Sequence, residues 1–391
     1  MTMHHQPTSA DDLAAIITDA AARGARCEIR GGGSKAGMGA PRDAEVIDMR
    51  GFTGVVDYDP PELVLTVRAG TPLAEVQRMI AGEGQMLAFE PFDHGPLLGG
   101  ELGQATIGGV VAAGVAGPQR LTMGGARDHL LGVTAVSGRG ERFVAGAKVV
   151  KNVTGYDLPK LMANSWGRLA AMTELTLKVL PRPRATSTMV LEGLDHIAAV
   201  RAMACAMGSH AEIGAAAHLP GAEGRRALTL LRVQGFAPSV TARCAILPDL
   251  LRDHGAARLL PEEKAAALWD AVRDVTPLAD APTLWRISLP PFSAPALLDR
   301  FALLGARWLL DWAGGLVWLA HDGDATEIRS AAAMAGGHAM LIRAPEPIRA
   351  AIPMQHPRQS GVAALEARVR RSFDPAGVFE TGRFLDMPHA D

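Results

Sequence analysis

The first regular apolar period in the chain is Leu13, Ile16 and Ile17, preceded by Asp11 and Asp12. Apolar residues at helical spacing behind an acidic first turn predict a helix, ending near Gly24. Short apolar runs bounded by glycine and proline predict strands at 27–30, 45–49 and 63–68. Thr71, Pro72 and Leu73, with Glu75 behind them, open a second helix, since proline is tolerated at the first helical position. Residues 131–137 and 142–145 read as two strands of a hairpin turning at Gly138-Arg139-Gly140. Residues 173–180 alternate as a further strand up to Pro181. From 89 to 125 glycine is dense, and much of that stretch must be loop whose backbone approaches something closely.

After Pro181 and Pro183 the pattern changes. The glycine loops thin out, alanine-rich helical stretches appear, and five of the six tryptophans follow. The chain therefore divides into a first domain over 1–183, a second over 184–355, and a C-terminal segment over 356–391 with a helix at 365–373. A chain of 391 residues supports two cores of its own.

Composition narrows the class. Hydrophobic residues make up 48% and charged residues 20%, as in an ordinary globular protein. A formal charge of −2 gives no basic field for nucleic acid or an anionic membrane. Cys27, Cys205 and Cys244 stand far apart without a CxxC spacing, which argues against a disulfide scaffold, an iron–sulfur cluster or a structural zinc site. Reduced thiols and a cytoplasmic location are expected. The polar first ten residues do not have a signal-peptide profile, and 102–117 is too short and glycine-rich to span a bilayer. Membrane contact would come only through a partner.

Three motifs carry chemistry. Arg30-Gly31-Gly32-Gly33-Ser34-Lys35 ends a strand in consecutive glycines, leaving backbone N–H groups open to a pyrophosphate, with a hydroxyl and a charge beside them. It has neither P-loop nor GxGxxG spacing, which disfavours nucleotide hydrolysis. Thr106-Ile107-Gly108-Gly109, continuing through Gly114 to Gly124-Gly125 and Asp128, is a second glycine cluster, suited to a phosphate or a flat ring. Two such clusters imply a long ligand held at several points. The third motif, 148–158, surrounds Gly155 with polar groups and Tyr156; taken alone it reads as a helix start capped by Thr154 and Asp157.

The order RGGGSK, ATIGG, GGARDHLLGV, VVKNVTGYDLPKL, GRLAAMTELTL and FDPAGVFETGRF is similar to the vanillyl-alcohol-oxidase-type (PCMH-type) flavoprotein family. Within it, the chain resembles the FAD-binding E subunits of bacterial glycolate oxidase. The likeness is dense over 10–183, clear in the last twenty residues and looser between. It implies an α+β fold, with two subdomains holding FAD between them and an α+β cap domain after them. By matching motifs, Arg30, Gly31, Gly32, Gly33, Ser34 and Lys35 would wrap the pyrophosphate. Thr106, Ile107, Gly108, Gly109 and Gly114 would line pyrophosphate and flavin, with Asp128 fixing that wall. Ala171 and Met172 would lie near the adenosine half, Asn152, Gly155 and Tyr156 near the flavin, and Gly382 and Arg383 would return the tail to it.

Departures from the family pattern matter too. Many relatives tether FAD through a histidine in the first glycine loop; Ser34 and Lys35 stand there instead, so binding is expected to be non-covalent. The paired-histidine metal pattern of larger 2-hydroxy-acid oxidising members is missing around His321 and His338, so no metal site is expected. Tyr156, His338 and Arg383 are the candidates for a catalytic group, although a structural role suits His338 better.

The resemblance implies two partners, a larger FAD-binding catalytic subunit and an iron–sulfur subunit, with glycolate converted to glyoxylate. Two alternatives stay open at this point: a non-catalytic scaffold that retains the flavin fold, and a self-sufficient 2-hydroxy-acid dehydrogenase.

Overall fold

The computed structural model describes residues 3–146, 156–221 and 224–385. The chain forms two compact units. One comprises Met1–Ala116, Gly124–Arg182 and Pro357–Asp391, the other Gly117–Met123 and Pro183–His356.

In the first unit, the helix Ala10–Arg23 starts at Ser9, whose hydroxyl accepts from the Asp12 N–H while the Asp12 carboxylate accepts from the Ser9 N–H. It stops at Gly24 in the left-handed region, φ +66°. Its buried face, Leu13, Ile17 and Ala20, packs with Cys27, Ile47, Val136 and Phe379. A parallel sheet places Glu45–Asp48 between His4–His5 and Cys27–Arg30. A second, antiparallel sheet runs in the order Val55–Asp59, Val64–Arg68, Ala170–Lys178, Leu130–Ser137, Arg142–Gly146.

The strand Val55–Asp59 was not foreseen. It is an edge strand whose residues are exposed apart from the half-buried Tyr58, so no apolar alternation marks it. Pro72 stands just before its helix, Leu73–Gly82, and not inside it.

The tail is sewn back into this unit. The Asp374 carboxylate accepts from the Val378 and Phe379 N–H groups, both at 2.8 Å, and the Cys27 N–H donates to Val378 O at 2.7 Å. These bonds set the tail beside the strand that enters the first glycine loop.

The second unit is built on one eight-stranded antiparallel sheet. Its order is Ala257–Leu259, Ala185–Glu192, Leu228–Gly235, Ala215–Leu219, Arg307–Asp311, Leu316–Ala320, Leu284–Ser288, His338–Arg343. Alternation sends Met189 and Leu191 to one face, with Trp285, Ile287, Leu310 and Phe301. Val190 goes to the other, with Ala217, Leu230 and Trp269. Trp308, Trp312 and Trp318 are all buried. Trp308 and Trp318 stand on strands, whereas Trp312 begins a tight turn after Arg307–Asp311. Among the described residues no helix is long and apolar enough to cross a membrane.

Candidate functional site

A cleft of about 720 Å³, counted with its open mouth, lies in the first unit where the glycine loop leaves Cys27–Arg30. Its wall is built by close backbone approach. A Cβ on Gly32 would lie 1.9 Å from Gln104 O, and one on Gly31 would lie 2.2 Å from Thr106 Oγ1. Neither position admits a side chain while the loops stay together. Thr106 caps the helix Ile107–Ala113, its hydroxyl accepting from the Gly109 N–H at 3.3 Å. Gly108 lies against Ala69, where a Cβ would come within 2.7 Å of the Ala69 carbonyl oxygen.

Arg30, Gly31, Gly32, Gly33, Ser34, Lys35, Thr106, Gly108, Gly109, Met172 and Arg383 all line this cleft. Ile107 and Ala171 do not, and the reason is periodicity. On the helix, Gly108, Gly109, Ala112 and Ala113 face the cleft while Ile107, Val110 and Val111 are buried. On the strand, Ala170 and Met172 face it and Ala171 turns into the core.

Other expected site residues lie elsewhere. Gly114 ends its helix with φ +62° against Asn164. Asp128 is exposed, and its carboxylate accepts from the Gly125 N–H at 2.8 Å, a local cap. Gly382 is a left-handed turn residue, φ +82°, outside the lining. Tyr156 is 91% exposed, and His338 stands on an edge strand of the second unit. Asn152 and Gly155 lie outside the described residues, whereas Asp157 does cap the helix Leu158–Met162.

The charge around the cleft is the feature least visible in the sequence. Buried Glu28 accepts from Arg42 Nε at 2.9 Å and from Arg30 Nη2 at 2.9 Å, and Arg383 Nη1 stands 3.6 Å away. Burial alone would raise the Glu28 pKa, but the Arg42 hydrogen bonds and the charges of Arg42 and Arg383 hold it below the usual carboxylate value. Burial pushes Lys35 down to about 8, with the Asp93 charge opposing and the Arg383 charge adding. Burial likewise brings Arg383 down to about 9. Four cations, Arg30, Lys35, Arg42 and Arg383, thus meet two carboxylates, Glu28 and Asp93. The surplus of two positive charges beside bare glycine backbone suits a dianionic pyrophosphate.

Trp166 and Gly167 also line the cleft, and no sequence motif marks Trp166. Trp166 has φ +57° and its backbone N–H donates to Ala112 O at 2.8 Å. The Arg383 guanidinium lies 5.0 Å from the Trp166 ring centre, and Arg383 Nη2 donates to Lys35 O. The tail arginine is therefore clamped between glycine loop and indole. Among the described residues no three His, Cys, Asp or Glu side chains gather as a metal site.

A model of an FAD-binding domain matches residues 3–146. Glycolate oxidase subunit GlcE of Escherichia coli (strain K12) is 35% identical over 366 residues, covering 91% of each chain. D-lactate dehydrogenase of Anaerostipes hadrus is 30% identical over 48% of this chain and 38% of its own. Glycolate oxidase subunit GlcD of Bacillus subtilis (strain 168) is 25% identical over 47% and 38%. Among solved structures, p-cresol methylhydroxylase with substrate bound superposes with a TM-score of 0.74 at 13% identity, covering 97% of this chain and 88% of that one. Alkyldihydroxyacetonephosphate synthase gives 0.67 at 15%, over 97% and 76%. These two likenesses show the α+β fold. With the GlcE match spanning nearly the whole of both chains, this chain belongs to the glycolate oxidase GlcE family of FAD-linked oxidoreductases.

Proposed function

We propose that this chain holds FAD non-covalently in the first-unit cleft and serves as the FAD-binding subunit of a heteromeric glycolate oxidase. The observation that carries the reading is the joining of bare glycine backbone to a surplus of two positive charges. Gly31, Gly32, Gly108 and Gly109 let phosphate oxygens reach the main chain, while Arg30, Lys35 and Arg383 neutralise them. Trp166, Ala112 and Met172 supply apolar wall that excludes water from a flat ring. Ser34 and Lys35 stand in the first glycine loop where many members of the family carry a tethering histidine, which supports a non-covalent link.

The chemistry that FAD supplies when bound is acceptance of a hydride from a carbon bearing a hydroxyl. On this reading glycolate leaves as glyoxylate. The names GlcE and GlcD mark separate subunits of glycolate oxidase, which supports a multi-subunit enzyme. We assign this chain a larger FAD-binding catalytic subunit and an iron–sulfur subunit as partners, in an assembly at the inner face of the cytoplasmic membrane.

The test rebuilds the assembly with a Gly32→Val chain that carries no flavin. Glycolate-dependent reduction of an artificial acceptor should disappear while the subunits still co-purify. Full activity with a flavin-free chain would make it a scaffold. Bleaching of the isolated wild-type chain by glycolate, with full turnover and no partner, would make it a self-sufficient dehydrogenase.

A further inference from the structure

The segment Gly117–Met123 belongs to the second unit and carries a single charged residue, Arg120. It is fastened there at two points. Trp312 Nε1 donates to Gly117 O at 3.0 Å, and Thr122 Oγ1 donates to Gly214 O at 2.9 Å. The Arg120 guanidinium carbon consequently lies 5.1 Å from the Trp312 ring centre. Arg286, on the strand Leu284–Ser288, brings its own guanidinium to 4.9 Å from the same ring.

Trp312 is itself held firmly. It and Ala313 are non-glycine residues in the left-handed region, at φ +51° and +54°, which only surrounding contacts can maintain. The Trp312 N–H donates to the buried Asp311 carboxylate at 2.7 Å. A main-chain bond and an indole bond thus fix one ring on which two cations meet.

Their charges are not balanced. Among the described residues, neither guanidinium has a side-chain hydrogen bond or salt bridge. Burial and the Arg120 charge push Arg286 down to about 10, with Asp311 opposing. Two cations against one carboxylate leave one positive charge over. Arg120 is exposed and Arg286 half-buried. A guanidinium presents a planar fork that matches a carboxylate, and one surplus charge matches a monoanion.

We propose that Arg120 and Arg286, gathered on Trp312, bind the carboxylate of a small 2-hydroxy acid. The choice of 2-hydroxy acid rests on the reading of the chain as a glycolate oxidase subunit; the anion site itself rests on the three side chains.

The test is calorimetric titration of the full, FAD-loaded chain with glycolate and with its neutral analogue glycolamide. Glycolate should bind and glycolamide should bind at least about tenfold more weakly. Arg120→Gln, at an exposed position where folding is not at stake, should weaken glycolate roughly 10- to 100-fold, the loss expected for a charged hydrogen-bond partner. Arg286→Met should do the same, and Arg286→Lys should keep part of the affinity. An Arg120→Gln chain that binds glycolate like wild type overturns the proposal, as does a wild-type chain that binds no glycolate. Sulfate binding as tightly as glycolate overturns the carboxylate assignment. If glycolate binds through both arginines but the flavin-free assembly keeps full activity, the carboxylate site stands and the electron-carrying role of this chain falls.

Discussion

The Thr106 hydroxyl occupies the place of a Gly31 side chain: a Cβ on Gly31 would come within 2.2 Å of Thr106 Oγ1. One loop ends a strand and the other opens a helix, so neither glycine cluster can be altered without the other feeling it.

That contact makes a double-mutant cycle informative. Gly31→Ala should destabilise the chain by about 1–3 kcal/mol through overpacking. Thr106→Ala should cost about 1 kcal/mol by removing the helix cap. Combined, they should cost roughly 1 kcal/mol less than the sum, because the clashing hydroxyl is gone. Urea unfolding of the four FAD-free proteins gives the coupling, and strict additivity would show that the two side chains do not meet.

Lys35 should make FAD binding sensitive to alkaline pH. Burial holds its pKa at about 8 in the FAD-free chain against a usual 10.5. A bound phosphate favours the ammonium, so binding takes up a proton and affinity falls as pH rises above about 8. The FAD-free chain behaves oppositely: the unfolded state keeps that proton up to about 10.5, so stability gains as pH rises between the two values. Lys35→Met should weaken FAD about tenfold and flatten both profiles. Fluorescence titration with FAD near neutral pH and near pH 9.5 checks this, and a pH-independent wild type would contradict it.

Glu28 should limit stability in acid. Its folded pKa is held below the ordinary 4.5, so its contribution is complete above that value and is lost as pH falls through the lower one. Glu28→Gln leaves Arg30, Arg42 and Arg383 without their shared carboxylate and should cost about 3–5 kcal/mol at neutral pH. The variant should also lose less stability than wild type on acidification. Denaturant unfolding at neutral pH and near pH 4 separates the two effects; equal midpoints for variant and wild type at neutral pH would refute the role.

How much of this was legible in the sequence depends on how local the signal is. The glycine loops at 31–33 and 108–109 are legible because close backbone approach excludes side chains, and composition alone records that. The hairpin 130–146 is legible because its turn residues and alternation are contiguous. Ile107 and Ala171 were assigned to the site because motifs are read as blocks, while helical and strand periods send neighbours in opposite directions. Trp166, Glu28 and Arg42 were missed because their roles come from tertiary convergence. Trp166 did leave one trace, as the only tryptophan before the second domain, standing beside a glycine. The Arg120–Trp312–Arg286 cluster joins positions far apart in the chain, and no sequence spacing announces it.

The most direct measurement is the visible spectrum of the purified wild-type chain beside that of Gly32→Val, whose side chain would drive into Gln104 O. Wild type should be yellow with one flavin per chain, released into solution on denaturation, and the variant should be folded by circular dichroism yet colourless. A colourless wild type, a yellow variant, or flavin that stays with the denatured chain would contradict non-covalent FAD binding in this cleft.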